Sequence, residues 1–386
     1  MPRRSHRKSR NGCFECKRRH IRCDEQRPEC SHCSRAEREC SFPKPKYFLI
    51  ASLPGQAESA PATEEIDDQS SATSEENESQ ILSHNSELTF SLIHMTFLHH
   101  AENYMGEYVG LQGQMKPMID IAIDNASAAP YLLDQLLALS ALHLSTTDTS
   151  RSSLYHYQAT ELQTRALGVF DLVKNGISSS NCLPPFVFAS LLGIHVLKET
   201  FSHNKSDLDA FINSFINYSR LHRGVRAITD KFWAFIIQSD MKHLLYIGDL
   251  SEEIERQTPG TETNELCDLL KSLDSESASI QACQKALEKM QSMLDICKLH
   301  PTRIDVGAQA AMAWPLIVPT EYFDALYQHQ PEALVIFAYY AAMLHRNRQF
   351  WVFGDTGVSI FDMVSNNLGN FWEKSLTWPA QVLKES

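Results

Sequence analysis

Six of the ten cysteines lie in one short block, at Cys13, Cys16, Cys23, Cys30, Cys33 and Cys40, spaced as C-x2-C-x6-C written twice. Two intervening residues let both thiolates of a pair reach one tetrahedral ion from the start of a short helix. The six-residue gap lets that helix end and the chain return. Thiolate-only donor sets of this kind favour zinc. Two separate four-coordinate ions need eight ligand positions, so six cysteines suffice only if two sulfurs bridge a pair of zinc ions. The competing chemistry is a disulfide framework, which suits a secreted mini-protein. Here Met1 leads into PRRSHRKSR, with no apolar stretch of an export signal. The expected cofactor is therefore zinc, two ions per chain, in a reducing compartment.

The block, with KRRHIRCDEQRPEC running through it, strongly resembles the fungal zinc binuclear cluster DNA-binding family over residues 12–42. The resemblance implies that Cys13 and Cys30 are the bridging thiolates, that Cys16 and Cys23 complete one zinc site, and that Cys33 and Cys40 complete the other. It places Pro28 in the loop between the halves. It also implies a first short helix from about Phe14 to Arg22 whose end enters the major groove and reads a CGG-type triplet. Lys17, Arg18, Arg19, His20 and Arg22 are then the DNA-contacting residues, with Arg19 and His20 in the base-reading positions. His20 departs from the lysine common there, and it offers guanine fewer donors than a lysine does. Lys17, Arg18, Arg22 and the tail residues Arg3, Arg4, Arg7, Lys8 and Arg10 are expected on phosphates, which position a protein without specifying sequence.

Charge divides the chain in the same place. Residues 1–46 hold 14 basic and 6 acidic residues, whereas the remainder holds 21 basic and 41 acidic. A basic head on an acidic body points to an N-terminal arm for a polyanion and excludes a generally basic protein. With 386 residues, 43% of them hydrophobic and 21% charged, the chain is long enough for a sizeable core, and collagen-like, fully disordered and mini-protein classes are excluded. The uncharged run from Asn175 to Leu197 contains Pro184 and Pro185 and makes a poor membrane span.

Four regions follow: a basic tail over 1–12, the cluster domain over 13–40, a linker over 41–87 and a large domain over 88–386. The linker is rich in Ser, Glu and Ala, and no Lys or Arg occurs from Tyr47 through Met115. Such a stretch buries too little apolar surface to offset ordering entropy, so it is expected to be disordered. It shows no heptad pattern, so a homodimer, if one forms, must come from the helical body. Its Asp67-Asp68 pair reads as a solvated acidic run.

The large domain reads as all-α. In PYLLDQLLALSALHLS, from Pro130, the leucines cover most of the helix circumference, as in the central helix of a bundle. Further helical stretches are expected over 151–174 with a stop at Asn175-Gly176, from Pro185, near 205–223, 230–247, 262–274 and 279–298, and over 331–346. The fold class is thus a small zinc binuclear cluster DNA-binding domain plus a large all-α regulatory domain, joined by a disordered acidic linker.

The segments APYLLDQLLALSALHLSTTDTSRSSLYHYQATELQTRALGVF, AMAWPLIVPTEYFDAL and PEALVIFAYYAAMLHRNRQFWVFG resemble the regulatory domain of sterol-uptake-control-type fungal regulators. That resemblance implies a domain that senses a hydrophobic ligand or controls activation. Phe186, Phe188, Phe337, Tyr339, Tyr340, Met343, Trp351 and Phe353 could line a pocket, although rings at helical spacing usually form core. His94, His99 and His100 do not share a helix face well enough for a metal. Cys182, Cys267, Cys283 and Cys297 read as small buried hydrophobes. No G-x-S-x-G, G-x-G-x-x-G, G-x-x-x-x-G-K or H-E-x-x-H occurs, which argues against an enzyme. The expected function is that of a nuclear, sequence-specific transcription factor of RNA polymerase II genes. Its partners would be double-stranded DNA, the transcription machinery and a hydrophobic small molecule. Its targets would be a fungal metabolic pathway or a secondary-metabolite gene cluster, the alternative being sterol uptake and biosynthesis genes under sterol or lipid control.

Overall fold

The computed structural model describes residues 13–19, 21, 23–24, 30–36, 38, 40, 90–110, 115–239, 241, 258–273 and 277–385. The basic tail, the linker over 41–87, His20, Arg22 and Pro28 lie outside the described residues. The chain divides into two compact units, one holding the cysteine block and the other the helical body. Among the described residues every regular element is a helix.

The small unit contains α1 (Phe14–Arg18) and α2 (Ser31–Ser34). Sequence spacing extends the first helix to about Arg22, but α1 ends at Arg18 and Arg19 is its C-cap. The reason is the return path. The chain must turn after Arg19 so that Cys23 can bring its sulfur to the backbone N–H of Cys13, which donates to it at 3.4 Å.

The body is built around two helices that are buried on nearly all sides. The first is α5 (Pro130–Thr147), entered through a proline whose missing N–H costs nothing in a first turn. Its Leu132, Leu136, Leu137, Leu139 and Leu142 are buried, whereas Leu133 and Leu144 are half-buried. Around it stand α3 (Leu92–Val109), α4 (Lys116–Asp124), α6 (Ser152–Val173) and α7 (Leu183–Ser202), with α6 making the most extensive contact. The stop expected at Asn175-Gly176 is realised as a 3₁₀ turn over Lys174–Gly176. The second central helix is α13 (Pro331–Arg346), in which every residue from Ala333 to His345 is buried. It packs on α10 (Ala278–Leu299), α11 (Ile304–Ile317), α14 (Thr356–Asn367) and α15 (Thr377–Val382).

Between these groups runs α8 (Leu208–Ile236), a single helix with a non-helical residue at Phe232 where the sequence suggests two separate stretches. Helix α9 (Asn264–Ser272) leads into α10, and α12 (Thr320–Tyr327) links α11 to α13. Helix α11 carries Pro315 in its interior, at a position that disrupts a helix unless neighbours satisfy the freed carbonyls. Here Ser219 Oγ and Arg223 Nη2 of α8 donate to the Pro315 carbonyl at 3.2 and 3.3 Å, and Arg223 also donates to the Val318 carbonyl at 2.5 Å.

Helices α13 and α14 meet backbone to backbone at Gly357. A Cβ there would lie 2.5 Å from the Ala341 carbonyl oxygen and 2.9 Å from the His345 nitrogen, neither of which can swing away. Gly357→Ala should therefore destabilise the body by about 1–3 kcal/mol, the usual range for overpacking. A lowered denaturant midpoint in helical circular dichroism would measure it, and an unchanged midpoint would refute the close approach.

No helix of the described residues is long and apolar enough to cross a membrane, including the one that covers most of the run from Asn175 to Leu197.

Candidate metal centre

Cys13 and Cys30 occupy equivalent places in the two halves. Each is the N-cap of its short helix, in extended conformation, and each sulfur accepts from the backbone N–H three residues on, Cys16 at 3.3 Å and Cys33 at 3.4 Å. Each also donates its own backbone N–H to the last cysteine of its half, Cys23 at 3.4 Å and Cys40 at 3.3 Å. The doubled spacing in the sequence is thus a doubled hydrogen-bond pattern in space.

The six sulfurs converge as two overlapping quartets. Cys13, Cys16, Cys23 and Cys30 form one and Cys13, Cys30, Cys33 and Cys40 the other, with the sulfurs of each within 4.8 Å of one another. The sulfurs of Cys13 and Cys30 are 3.7 Å apart, those of Cys13 and Cys33 3.6 Å, and those of Cys16 and Cys30 3.6 Å. Zn–S bonds of about 2.3 Å in a tetrahedron put sulfurs roughly 3.8 Å apart, so the thiol set fits zinc. The members common to both quartets are Cys13 and Cys30. Their electrostatics set them apart as well. Burial opposes charge at each, but the backbone donors of Cys16 and Cys33 and neighbouring thiols outweigh it and lower both thiols below the usual range. Burial instead raises Cys16 and Cys40 and pushes Cys33 up to about 12.

All six cysteines are buried or half-buried, and they are the whole hydrophobic cluster of this unit among its described residues. Outside the sulfurs, two polar contacts tie the halves together. The Glu15 carboxylate lies 2.8 Å from Arg18 on α1, and Arg38 of the second half donates to it at 3.1 Å. These guanidinium groups hold the Glu15 carboxyl below its ordinary range through hydrogen bonds, that to Arg18 foremost. Asp24, at the end of the first half, accepts from the Ser31 backbone N–H at 3.1 Å and from the Ser31 hydroxyl, so it caps α2. Sequence reasoning did not single out Glu15, Asp24 or Arg38. The i, i+3 spacing of Glu15 and Arg18 is a readable signal, but the pairing with Arg38 is not.

Lys17, Arg18 and Arg19 are exposed on or just beyond α1. His20 and Arg22, the other two residues placed on DNA by resemblance, lie outside the described residues.

In the body the other sequence candidates separate. Among the described residues, only the six N-terminal cysteines form groups that could hold a metal. Ser91 donates its N–H to His94 Nδ1 at 3.2 Å, in a helix cap, and His100 instead meets His143 at 2.8 Å. Cys283 and Cys297 are pushed up to about 12 and about 11 by burial, and Cys182 is raised for the same reason, so these are unreactive thiols. The aromatic candidates pack as core: Phe188 on Phe170 at 4.5 Å, Phe337 on Phe215 at 5.1 Å and Tyr339 on Trp378 at 5.1 Å, while the Tyr340 hydroxyl donates to the Ala311 carbonyl at 3.2 Å.

Comparison with known proteins agrees with this geometry. Residues 11–47 match the fungal Zn(2)-Cys(6) binuclear cluster domain. A Zn(2)-C6 fungal-type transcription factor of Gibberella zeae is 23% identical over 438 residues, covering 99% of this chain and 87% of that protein. The Zn(2)-C6 fungal-type transcription factor afumD of Aspergillus fumigatus is 22% identical over 339 residues, covering 86% of this chain and 84% of its own length. Sterol uptake control protein 2 of Candida albicans is 50% identical, but over 40 residues only, 10% of this chain and 6% of that protein. No solved structure matches at a significant level. With the doubled cysteine half and its two overlapping thiol quartets, these likenesses identify the N-terminal unit as a fungal Zn(2)-Cys(6) binuclear cluster domain, on a chain similar along nearly its whole length to fungal transcription factors of that type.

Proposed function

We propose that this chain is a sequence-specific regulator of RNA polymerase II transcription that works in the nucleus, reading CGG-type triplets through a cluster of two zinc ions. The observation that carries the reading is the pair of thiol quartets sharing Cys13 and Cys30, with the exposed Lys17, Arg18 and Arg19 fixed beside them. Bound zinc would supply the folding free energy of the small unit and hold α1 in place. The six cysteines would be its ligands, and Lys17, Arg18, Arg19, His20 and Arg22 would be the DNA contacts. Residues 13–40 would form the DNA-binding domain and 88–386 the regulatory domain. That domain would regulate rather than catalyse, passing a signal to the transcription machinery and supplying the contact if the protein pairs with itself.

The control of a metabolic pathway or a secondary-metabolite gene cluster is the pathway reading retained here. The two long matches support it only in being transcription factors over most of their length. The sterol reading has less behind it. Its match of 40 residues is too short to span the helical body, and the rings once open as a ligand pocket pack on one another.

Arg19 follows α1 directly, so zinc-bound Cys16 would limit where its side chain reaches. A bidentate arginine–guanine pair is worth roughly 1–3 kcal/mol of discrimination. Arg19→Ala in the full chain should weaken binding to a CGG-containing duplex by about 10-fold or more, and binding to a scrambled duplex far less. Replacing Arg3, Arg4 and Arg7 together should weaken both about equally and flatten the salt dependence by up to about three units of slope. Titrations on both duplexes at several salt concentrations measure this. Equal loss on both duplexes in Arg19→Ala would make that residue a phosphate contact.

A further inference from the structure

The basic face of the cluster is less basic than its arginines suggest. Residues 13–40 hold seven Lys or Arg against six Asp or Glu, so the arrangement of charge, not its total, must create a cationic face. Glu15 is the acidic residue of α1, and its carboxylate is nearly covered, with 13% of the side chain exposed. It sits between two guanidinium groups. Arg18 donates to Oε1 at 3.0 Å and lies 2.8 Å from Oε2, while Arg38 reaches Oε1 at 3.1 Å from the other half of the repeat. Both arginines remain largely open to solvent, at 73% and 50% of the side chain. The place equivalent to Glu15 in the second half, two residues after Cys30, is His32, so the pairing is not a product of the repeat.

We propose that Glu15 sets how strongly this domain holds DNA backbone, by engaging Arg18 and Arg38 and keeping a negative charge beside them. The inference rests on the DNA-binding reading above and adds a residue that acts through others and touches no base. An exposed ion pair is weak, about 0–1 kcal/mol, so phosphate can compete for either arginine, but each competes against the carboxylate and in its field. Neutralising Glu15 frees two cations. Each new phosphate contact adds roughly 0.9 to the steepness of log affinity against log salt. Two contacts therefore add up to about two units, equivalent to roughly tenfold over a fourfold change in salt.

The sign of the effect separates this role from a structural one. A clamp that merely orients α1 would, when cut, weaken binding. Glu15 in the role proposed here would, when neutralised, strengthen it. In the full chain, Glu15→Ala should raise affinity for both a CGG-containing and a scrambled duplex at low salt, by about threefold to tenfold, and steepen the salt slope by one to two units. Arg38→Ala alone should change little, and Glu15→Ala with Arg38→Ala should retain about half of the added slope. Zinc per chain, measured on each variant, reports whether the cluster is intact. If Glu15→Ala loses zinc, Glu15→Gln keeps an acceptor for the arginines and should show the same gain. Weaker binding or an unchanged slope at full zinc content would overturn the proposal, as would loss of zinc in both variants. A native chain that binds neither duplex would instead overturn the DNA-binding reading itself.

Discussion

Cys30→Ser should abolish both halves of the metal centre at once, whereas Cys16→Ser or Cys40→Ser should damage only one. Cys30 belongs to both thiol quartets and Cys16 and Cys40 to one each. The effect is the largest expected anywhere in the chain. Structural zinc contributes about 10–16 kcal/mol in small finger peptides, and the described residues of this unit offer no buried hydrophobic cluster beyond cysteines to replace it. Zinc in the full-length Cys30→Ser chain should fall from two ions towards none, and duplex binding should drop by at least about 100-fold. The body forms its own compact unit, so its helical circular dichroism and melting should stay as in the native chain. Metal analysis, duplex titration and thermal melts on the three variants check each part. Retention of two ions by Cys30→Ser, or equal loss from Cys40→Ser, would contradict the sharing of Cys13 and Cys30.

Asp134→Ala is the most damaging single change expected in the body. Arg165 of α6 grips the Asp134 carboxylate of α5 with Nε and Nη2, at 2.7 and 2.6 Å. Asp134 is only 5% exposed, and the Arg165 side chain 27%. Removing the carboxylate strands a half-buried guanidinium on the most extensive helix contact of the protein. Breaking a buried pair by deleting one partner costs about 3–5 kcal/mol, and the partial exposure of Arg165 places this pair near 3 kcal/mol. Replacing both partners, as Asp134→Leu with Arg165→Met, should recover most of that loss, because a packed apolar pair avoids desolvating two charges. Denaturant midpoints of the native chain, the single variant and the double variant measure it. A single variant within about 0.5 kcal/mol of native would show the pair to behave as a surface ion pair.

Both predictions depend on partners far apart in sequence, and the same distinction governs what could be read beforehand. The cysteine spacing was legible because each half is local. Thiolates two residues apart at a helix start face one ion whatever the rest of the chain does, and the same capping hydrogen bonds recur in both halves. The leucines of α5 were legible because an apolar residue at nearly every angle of a helix leaves no side for water. Helices α4, α11 and α14 were not, since they are short, or carry Pro315, or take their burial from neighbours rather than from a clean periodic stripe. The break at Phe232 joined into one helix two stretches that the pattern kept apart.

By itself, then, the sequence determined the zinc-type ligand set, the basic head on an acidic body and an all-helical regulatory domain, because composition, short-range spacing and helical periodicity are properties of contiguous residues. Tertiary structure alone decided that α1 stops at Arg18, that Glu15 faces Arg38 across 23 residues, that Asp134 meets Arg165 across 31, and that the aromatic side chains fill the core. Those outcomes depend on where the chain returns to itself, and that path is set by the packing of all the helices together and written in no single stretch.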